Sequence, residues 1–317
     1  MKQVSSRLKP LLRWAILGGT LFFLTTVLKH NWQRVAEIRI TGAGLACLTV
    51  ALGITLLAHI CAGWVWSFML QDFQQPVHGI VAIQAYLKTT IAKYLPGNVW
   101  HYYGRITAAT DAGATSGAAI VSVLLEPILM AAAALVLALL CSQQIGVRYG
   151  LTVLGLQWAI LLGILLLLHP RVLNPLIHRL HQLKLPTASP HSPITSPLHP
   201  RLSSSPSFQL DHYPLLPLLG ELSFLLLRGL GFLLTVLAVS PIQVTQMPIL
   251  LSAFSFAWLL GLVVPGAPGG LGVFETAAIA LLGPVLSPAI LLSAAALYRL
   301  ISVLAEATGA GLAWLEE

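Results

Sequence analysis

The chain has 317 residues, 57% of them hydrophobic and 9% charged, with a mean hydropathy of +0.85 and a formal net charge of +7. Soluble domains carry roughly 25% charged residues, so this composition excludes an ordinary soluble domain. The positive charge does not point to nucleic acid: Lys2, Arg7, Lys9 and Arg13 flank the first apolar run, and Arg171, Arg179, Lys184 and Arg201 sit in a central stretch, with no continuous patch.

Residues 229–274 and 276–298 contain no Lys, Arg, Asp or Glu. About 20 apolar residues make one helical span, so the chain reads as an all-α, polytopic integral membrane helix bundle. A first span is expected over 11–28, retained as a helix because no small-x-small cleavage site follows it cleanly. A second is expected over 45–70, followed by a polar turn over 71–76. Residues 79–95 are moderately apolar, carry Lys88 and Lys93 and stop at Pro96, which predicts a half-helix or re-entrant segment. Clear spans follow over 118–140 and 151–168, the latter uncharged and suited to face lipid.

Between 186 and 217, eight prolines alternate with Ser and His. Such a segment cannot bury enough apolar surface to offset its ordering entropy, so it reads as a flexible linker between an N-terminal half, 1–185, and a C-terminal half, 218–317. The scattered histidines around it have irregular spacing, one acid and no cysteine, so no metal site is expected. Cys47, Cys61 and Cys141 show no CxxC spacing and read as structural thiols. Beyond the linker, spans are expected over 218–239, 249–264 and 289–314, with a short helix over 273–282. The count is about eight membrane segments. The positive-inside rule places the N-terminus and the linker in the cytoplasm, although Lys29, Arg34 and Arg39 argue the other way.

Two Pro-Gly breaks stand out: Leu95-Pro96-Gly97-Asn98 and Val264-Pro265-Gly266-Ala267-Pro268-Gly269-Gly270. Interrupted apolar segments in corresponding halves are the sequence mark of a transporter-like site. Superposing Pro96 on Pro265 aligns the following glycines but little else, so an internal pseudo-repeat amounts to shared architecture rather than demonstrable homology. After the first break, Asn98, Trp100, His101, Tyr102, Tyr103 and Arg105 cluster within eight residues. The aromatics suit interfacial anchoring, and Arg105 suits bidentate contact with phosphate. The run Gly266-Ala267-Pro268-Gly269-Gly270-Leu271-Gly272 lacks the ending of a nucleotide loop. It fits either an anion cradle at the next helix start or a ligand-free turn, and Glu275 weakens the anion case.

Charges at membrane depth cost about 2.5–3.5 kcal/mol each on insertion scales, so they face protein or a watery cavity. Lys88, Lys93, Arg105, Arg228 and Arg299 stand against Asp111, Glu126, Glu221, Glu275 and Glu306. Glu221 and Arg228 are seven residues apart, as are Arg299 and Glu306, so each pair shares a helical face. The rise between them is about 10 Å, too far for a salt bridge, so each seeks a partner on another helix or a ligand. Glu126, beside Pro127, is either a proton or cation site or a structural partner of Arg105 or Arg228.

Lys93-Tyr94-Leu95-Pro96-Gly97-Asn98-Val99-Trp100-His101 with Gly104-Arg105 resembles the first signature of the lysylphosphatidylglycerol synthase transmembrane-region family. Residues Pro265-Gly266-Ala267-Pro268-Gly269-Gly270-Leu271-Gly272-Val273-Phe274-Glu275 resemble the second, and Glu126 and Tyr298-Arg299 sit where that family places polar residues. The resemblance implies a flippase-like domain of a bacterial inner membrane, here without the aminoacyltransferase domain of the bifunctional members. The expected ligand is a phospholipid or polyprenyl-type lipid. Lys93 and Arg105 would contact phosphate, with Asn98, Trp100, His101 and Arg228 beside them. The turn would be lined by Gly266, Gly269, Gly270 and Gly272, and the polar wall formed by Glu126, Glu275, Arg299 and Glu306. No cofactor, metal or nucleic acid is expected. The alternatives are a membrane transferase on a lipid-linked substrate and an accessory subunit of a glycosyltransferase or other lipid-modifying enzyme.

Overall fold

The computed structural model describes residues 40–95, 99–141, 151–182, 209–264, 270 and 272–316. The expected first span over 11–28, most of the 186–217 linker, and Asn98, Gly266 and Gly269 lie outside the described residues. All regular elements among the described residues are helical: α1 Gly42–Asp72, α2 Gly79–Thr90, α3 Trp100–Asp111, α4 Ser116–Leu140, α5 Leu151–Leu167, α6 Pro170–Gln182, α7 Leu215–Val239, α8 Met247–Val263, α9 Val273–Leu282 and α10 Pro288–Leu315. Short 3₁₀ turns extend α2 over Ile91–Tyr94 and precede α8 over Val244–Gln246.

Five helical stretches are long and apolar enough to cross a membrane: α1, α4, α7, α8 with the turn before it, and α10. A sixth arises if α5 and α6, bent by 67° at residues 168–169, form one broken span. The expected eight is therefore reduced to five or six among the described residues. The difference has three sources: the first span is not among them, α2 stops after 12 residues, and α9 has only 10. Capping fixes the long helices' starts. Thr41 Oγ1 accepts from Gly44 N at 3.1 Å, and Thr115 and Ser287 cap α4 and α10 in the same way.

Helix α1 packs along α7, and small residues set the spacing. A Cβ at Gly220, Gly231 or Gly44 would come within 2.3, 2.8 or 2.9 Å of Val65, Thr55 or Ala238. In lipid, where apolar side chains gain nothing by leaving an equally apolar solvent, such close approach supplies the packing. Two cross-bundle hydrogen bonds add to it, Trp66 Nε1 to Ser122 Oγ at 3.1 Å and Ser252 Oγ to the Ala138 carbonyl at 2.8 Å. The outer surface carries Leu57, Trp64, Leu124, Leu156, Trp158, Leu162 and Leu219 largely exposed, an apolar shell that suits lipid.

Arg171 and Arg179, read as part of a linker region, lie instead on the amphipathic helix α6, whose Leu173 and Ile177 are buried. The end of the expected linker is ordered as well. Asn174 holds the backbone of Leu210 through two 3.0 Å hydrogen bonds, and α7 begins at Leu215.

An aromatic cluster seats the short helix α9. Phe232 of α7, Phe254 of α8, Phe274 of α9 and Tyr298 of α10 pack with ring centroids 5.4 to 5.9 Å apart. Phe274 thereby fixes the restart of the chain after the second break.

Candidate functional site

A cavity of about 160 Å³ is lined by residues that precede and follow the two breaks. Lys93 and Tyr94 line it from before the first break, and His101 and Tyr102 from the first turn of α3 after it. Gly261 and Leu262 line it from the end of α8, and Gly270 and Phe274 from beyond the second break. Helix α10 contributes Tyr298, Arg299, Ser302 and Glu306 from one face, α7 contributes Arg228, and α8 adds Trp258. The polar stripe expected on α10 therefore faces a cavity.

The charges here are mostly paired. Lys93 Nζ donates to Glu306 Oε1 at 2.7 Å, and His59 Nε2 lies 3.3 Å from the same oxygen. Arg299 donates to Glu275 Oε1 at 2.9 Å. Glu275 Oε2 accepts from Gly272 N at 2.8 Å, so this carboxylate ties α10 to the first turn of α9. Gly272 itself has φ +79, a backbone conformation that glycine adopts without a Cβ penalty.

Arg228 is different. Its side chain is buried, and among the described residues no carboxylate lies within salt-bridge distance of it. Its nearest polar side-chain neighbour is His59, with Nη1 to Nε2 at 3.5 Å, and its guanidinium sits 5.1 Å from the Tyr298 ring centroid. Arg228 Nε and His101 Nδ1 are buried with no hydrogen-bond partner among the described residues. Three basic side chains, Lys93, Arg228 and Arg299, face the cavity against one carboxylate, Glu306. Such a lining favours an anion.

A second polar cluster lies beside the cavity and does not line it. Arg105 pairs with Glu126, stacks 3.7 Å from the Tyr86 ring centroid and is 3% exposed. Tyr86 Oη donates to Glu126 Oε1 at 2.8 Å. Arg105 thus makes the ion pair with Glu126 that one of the two readings expected. Nearby, Glu221 is fully buried, and neither carboxylate oxygen has a hydrogen-bond partner among the described residues.

Of the residues singled out from sequence, Lys93, His101, Arg228, Gly270, Arg299 and Glu306 meet at the cavity, with Gly272 and Glu275 supporting its wall. Trp100 is half-exposed and outside the lining, a position that suits an interfacial anchor. His59 is the residue that sequence reading missed. It sits in the middle of an apolar span, and the signal was available: an ionisable side chain at membrane depth calls for a partner.

A model of the lysylphosphatidylglycerol synthase TM region matches residues 11–307. The chain belongs to the lysylphosphatidylglycerol synthase TM region family. No curated protein matches it. Membership of this family, with the apolar helices, makes the chain an integral membrane protein linked to lipid handling. Lys93, Tyr94 and His101 of the first family-like signature, and Gly270 and Phe274 of the second, line the cavity.

Proposed function

We propose that this family member is a carrier: it binds a phosphate-bearing membrane lipid by its headgroup and moves it between leaflets, with no bond made or broken. The observation that carries the reading is Arg228, a buried guanidinium without a carboxylate partner among the described residues, at a cavity that Lys93 and Arg299 also line. A buried unpaired charge is costly by several kcal/mol, and an anion in the cavity offsets that cost. The planar guanidinium matches phosphate oxygens, and His101 Nδ1 and Lys93 supply further polar contacts. The first turns of α3 and α9 add their helix-dipole ends, although Glu275 already occupies part of the second.

The lipid would be a phospholipid or a polyprenyl phosphate, its chains in the bilayer and its headgroup among these side chains. The inner membrane of a bacterium, with the N-terminus and central linker cytoplasmic, is the proposed setting. Reconstitution into liposomes with labelled phosphatidylglycerol tests the reading. Label accessibility in both leaflets should rise above that of empty liposomes and fall with Arg228→Gln. Accessibility equal to empty liposomes across several phosphate headgroups would sink it.

A further inference from the structure

Helix α6 contributes nothing to the cavity and carries no acidic residue. It follows α5, an uncharged helix of 17 residues whose rise of about 25 Å covers most of a hydrocarbon core about 30 Å thick. The chain then turns by 67°. Named contacts build that turn. Pro170 has no amide to continue the α5 ladder, and the His169 amide donates to the Leu166 carbonyl at 3.1 Å. The Leu165 carbonyl accepts instead from Tyr213 Oη at 3.1 Å, just before α7. His169 Nδ1 accepts from Arg171 N at 3.2 Å at the start of α6, and the clasp of Asn174 on Leu210 holds its middle. Leu162 and Leu166, exposed on the last turns of α5, carry the lipid-facing shell to the bend. With α5 crossing near the bilayer normal, α6 lies close to the membrane plane, at the level of the headgroups.

The sides of α6 differ. Leu173 and Ile177 are buried against the bundle, whereas Val172 and Leu176, one position earlier in each turn, are exposed. Exposed Arg179 continues the row of Val172 and Leu176 at helical spacing, and exposed Arg171 stands beside Val172 towards the polar side. Neither arginine is in an ion pair among the described residues, and Asp211, the nearest acid in sequence, pairs with neither. From 127 to 210 the sequence holds no Asp or Glu, while Arg171, Arg179, Lys184 and Arg201 fall in the second half of that stretch.

We propose that α6 is a docking surface for the anionic headgroup layer of one leaflet. Val172 and Leu176 sink to the level where the acyl chains begin, and Arg171 and Arg179 reach the phospholipid headgroups beside them. Charge complementarity selects this partner: an exposed apolar row bordered by two unpaired arginines, without a nearby acid, matches negative headgroups over neutral ones. The partner is the lipid surface and not a lipid carried through the cavity, so the proposal stands apart from the carrier reading. An arginine near an anionic surface favours negative over neutral lipid by roughly fivefold, and salt screens the attraction. Anionic lipid should therefore gather beside α6 whether or not the cavity is filled.

The test uses the full chain in vesicles of phosphatidylcholine and phosphatidylglycerol in equal parts, with a fluorescent non-natural side chain in place of Leu176. One lipid or the other is supplied brominated near the top of its chains, so that quenching reports which lipid touches α6. Brominated phosphatidylglycerol should quench better than brominated phosphatidylcholine, with a preference of roughly fivefold that high salt abolishes. The same probe in place of Ile160, exposed in the middle of α5, should show no preference. Arg171→Gln with Arg179→Gln should remove the preference at position 176 and leave the quenching itself. Equal quenching by the two lipids at 176, with both arginines present, contradicts the proposal. A preference of the same size at 160 contradicts it too, because the enrichment would then surround the whole protein. So does a preference that survives the double substitution, or one that Arg228→Gln abolishes, which assigns it to the cavity. Quenching by neither lipid also contradicts it, and means that a protein surface covers the row. None of these outcomes bears against the carrier reading.

Discussion

At the residue scale, two kinds of buried charge behave differently. Among the described residues Arg228 has no acid in contact, so its removal should relieve the protein while it weakens the ligand. A charge-assisted hydrogen bond is worth about 1.5–3 kcal/mol, and each 1.4 kcal/mol is about tenfold in affinity. Arg228→Gln should therefore lower affinity for short-chain phosphatidylglycerol roughly tenfold to a hundredfold, by titration, with thermal stability unchanged or raised. Unaltered affinity would remove Arg228 from the site. Lys93 presents the opposite case, because Glu306 depends on it. Lys93→Met leaves that carboxylate with His59, and breaking a buried pair costs about 3–5 kcal/mol. The melting temperature in detergent should fall clearly, and Lys93→Met with Glu306→Gln should regain most of the loss. A double variant no more stable than the single one would mean that the pair is not the cause.

At the scale of elements, the second break is held by one close approach and one aromatic anchor. Gly270 has φ +71, and a Cβ there would sit 3.1 Å from Gly261 Cα. The left-handed conformation alone costs about 1–2 kcal/mol for a residue with a Cβ. Gly270→Ala should thus destabilise the protein more than Gly261→Ala, whose Cβ would meet Gly270 Cα at 3.3 Å with no strained φ. Equal melting temperatures for the two would argue against this geometry. Phe274→Ala removes a ring from the four-membered cluster and should cost about 3–5 kcal/mol, with a loss of lipid affinity because α9 loses its seat.

These elements also show what the sequence revealed and what it hid. The long apolar runs marked α1, α4, α7, α8 and α10 to within a few residues, and Pro96 marked α2 as a half-helix, because length and Pro-Gly punctuation are local properties. Helix α6 was hidden by Pro175 and by arginines that read as linker charge, although Leu173 and Ile177 already have helical spacing. Seven-residue spacing showed that Glu306 and Arg228 needed partners. It could not name Lys93, 213 residues away from Glu306, since such pairing is set by how helices pack. Arg105 illustrates the converse. Its place among aromatics just after a break suited phosphate, but the structure pairs it with Glu126 on the next helix.

For the whole molecule, the two breaks matter because described residues before and after them meet. Residues on both sides of each converge on one cavity that opens among helices whose outer faces are apolar. Family membership places the chain in lipid handling. On the carrier reading proposed above, the excess of basic side chains at the cavity would select an anionic headgroup and disfavour one with net positive charge. The central claim is that Arg228 holds a lipid phosphate. Native mass spectrometry of gently purified protein, wild type beside Arg228→Gln, tests it most directly. The wild type should retain a phosphate-bearing lipid adduct that the variant loses, with both folded. An identical lipid profile in the two, or a wild type that carries only uncharged lipid, would contradict the claim.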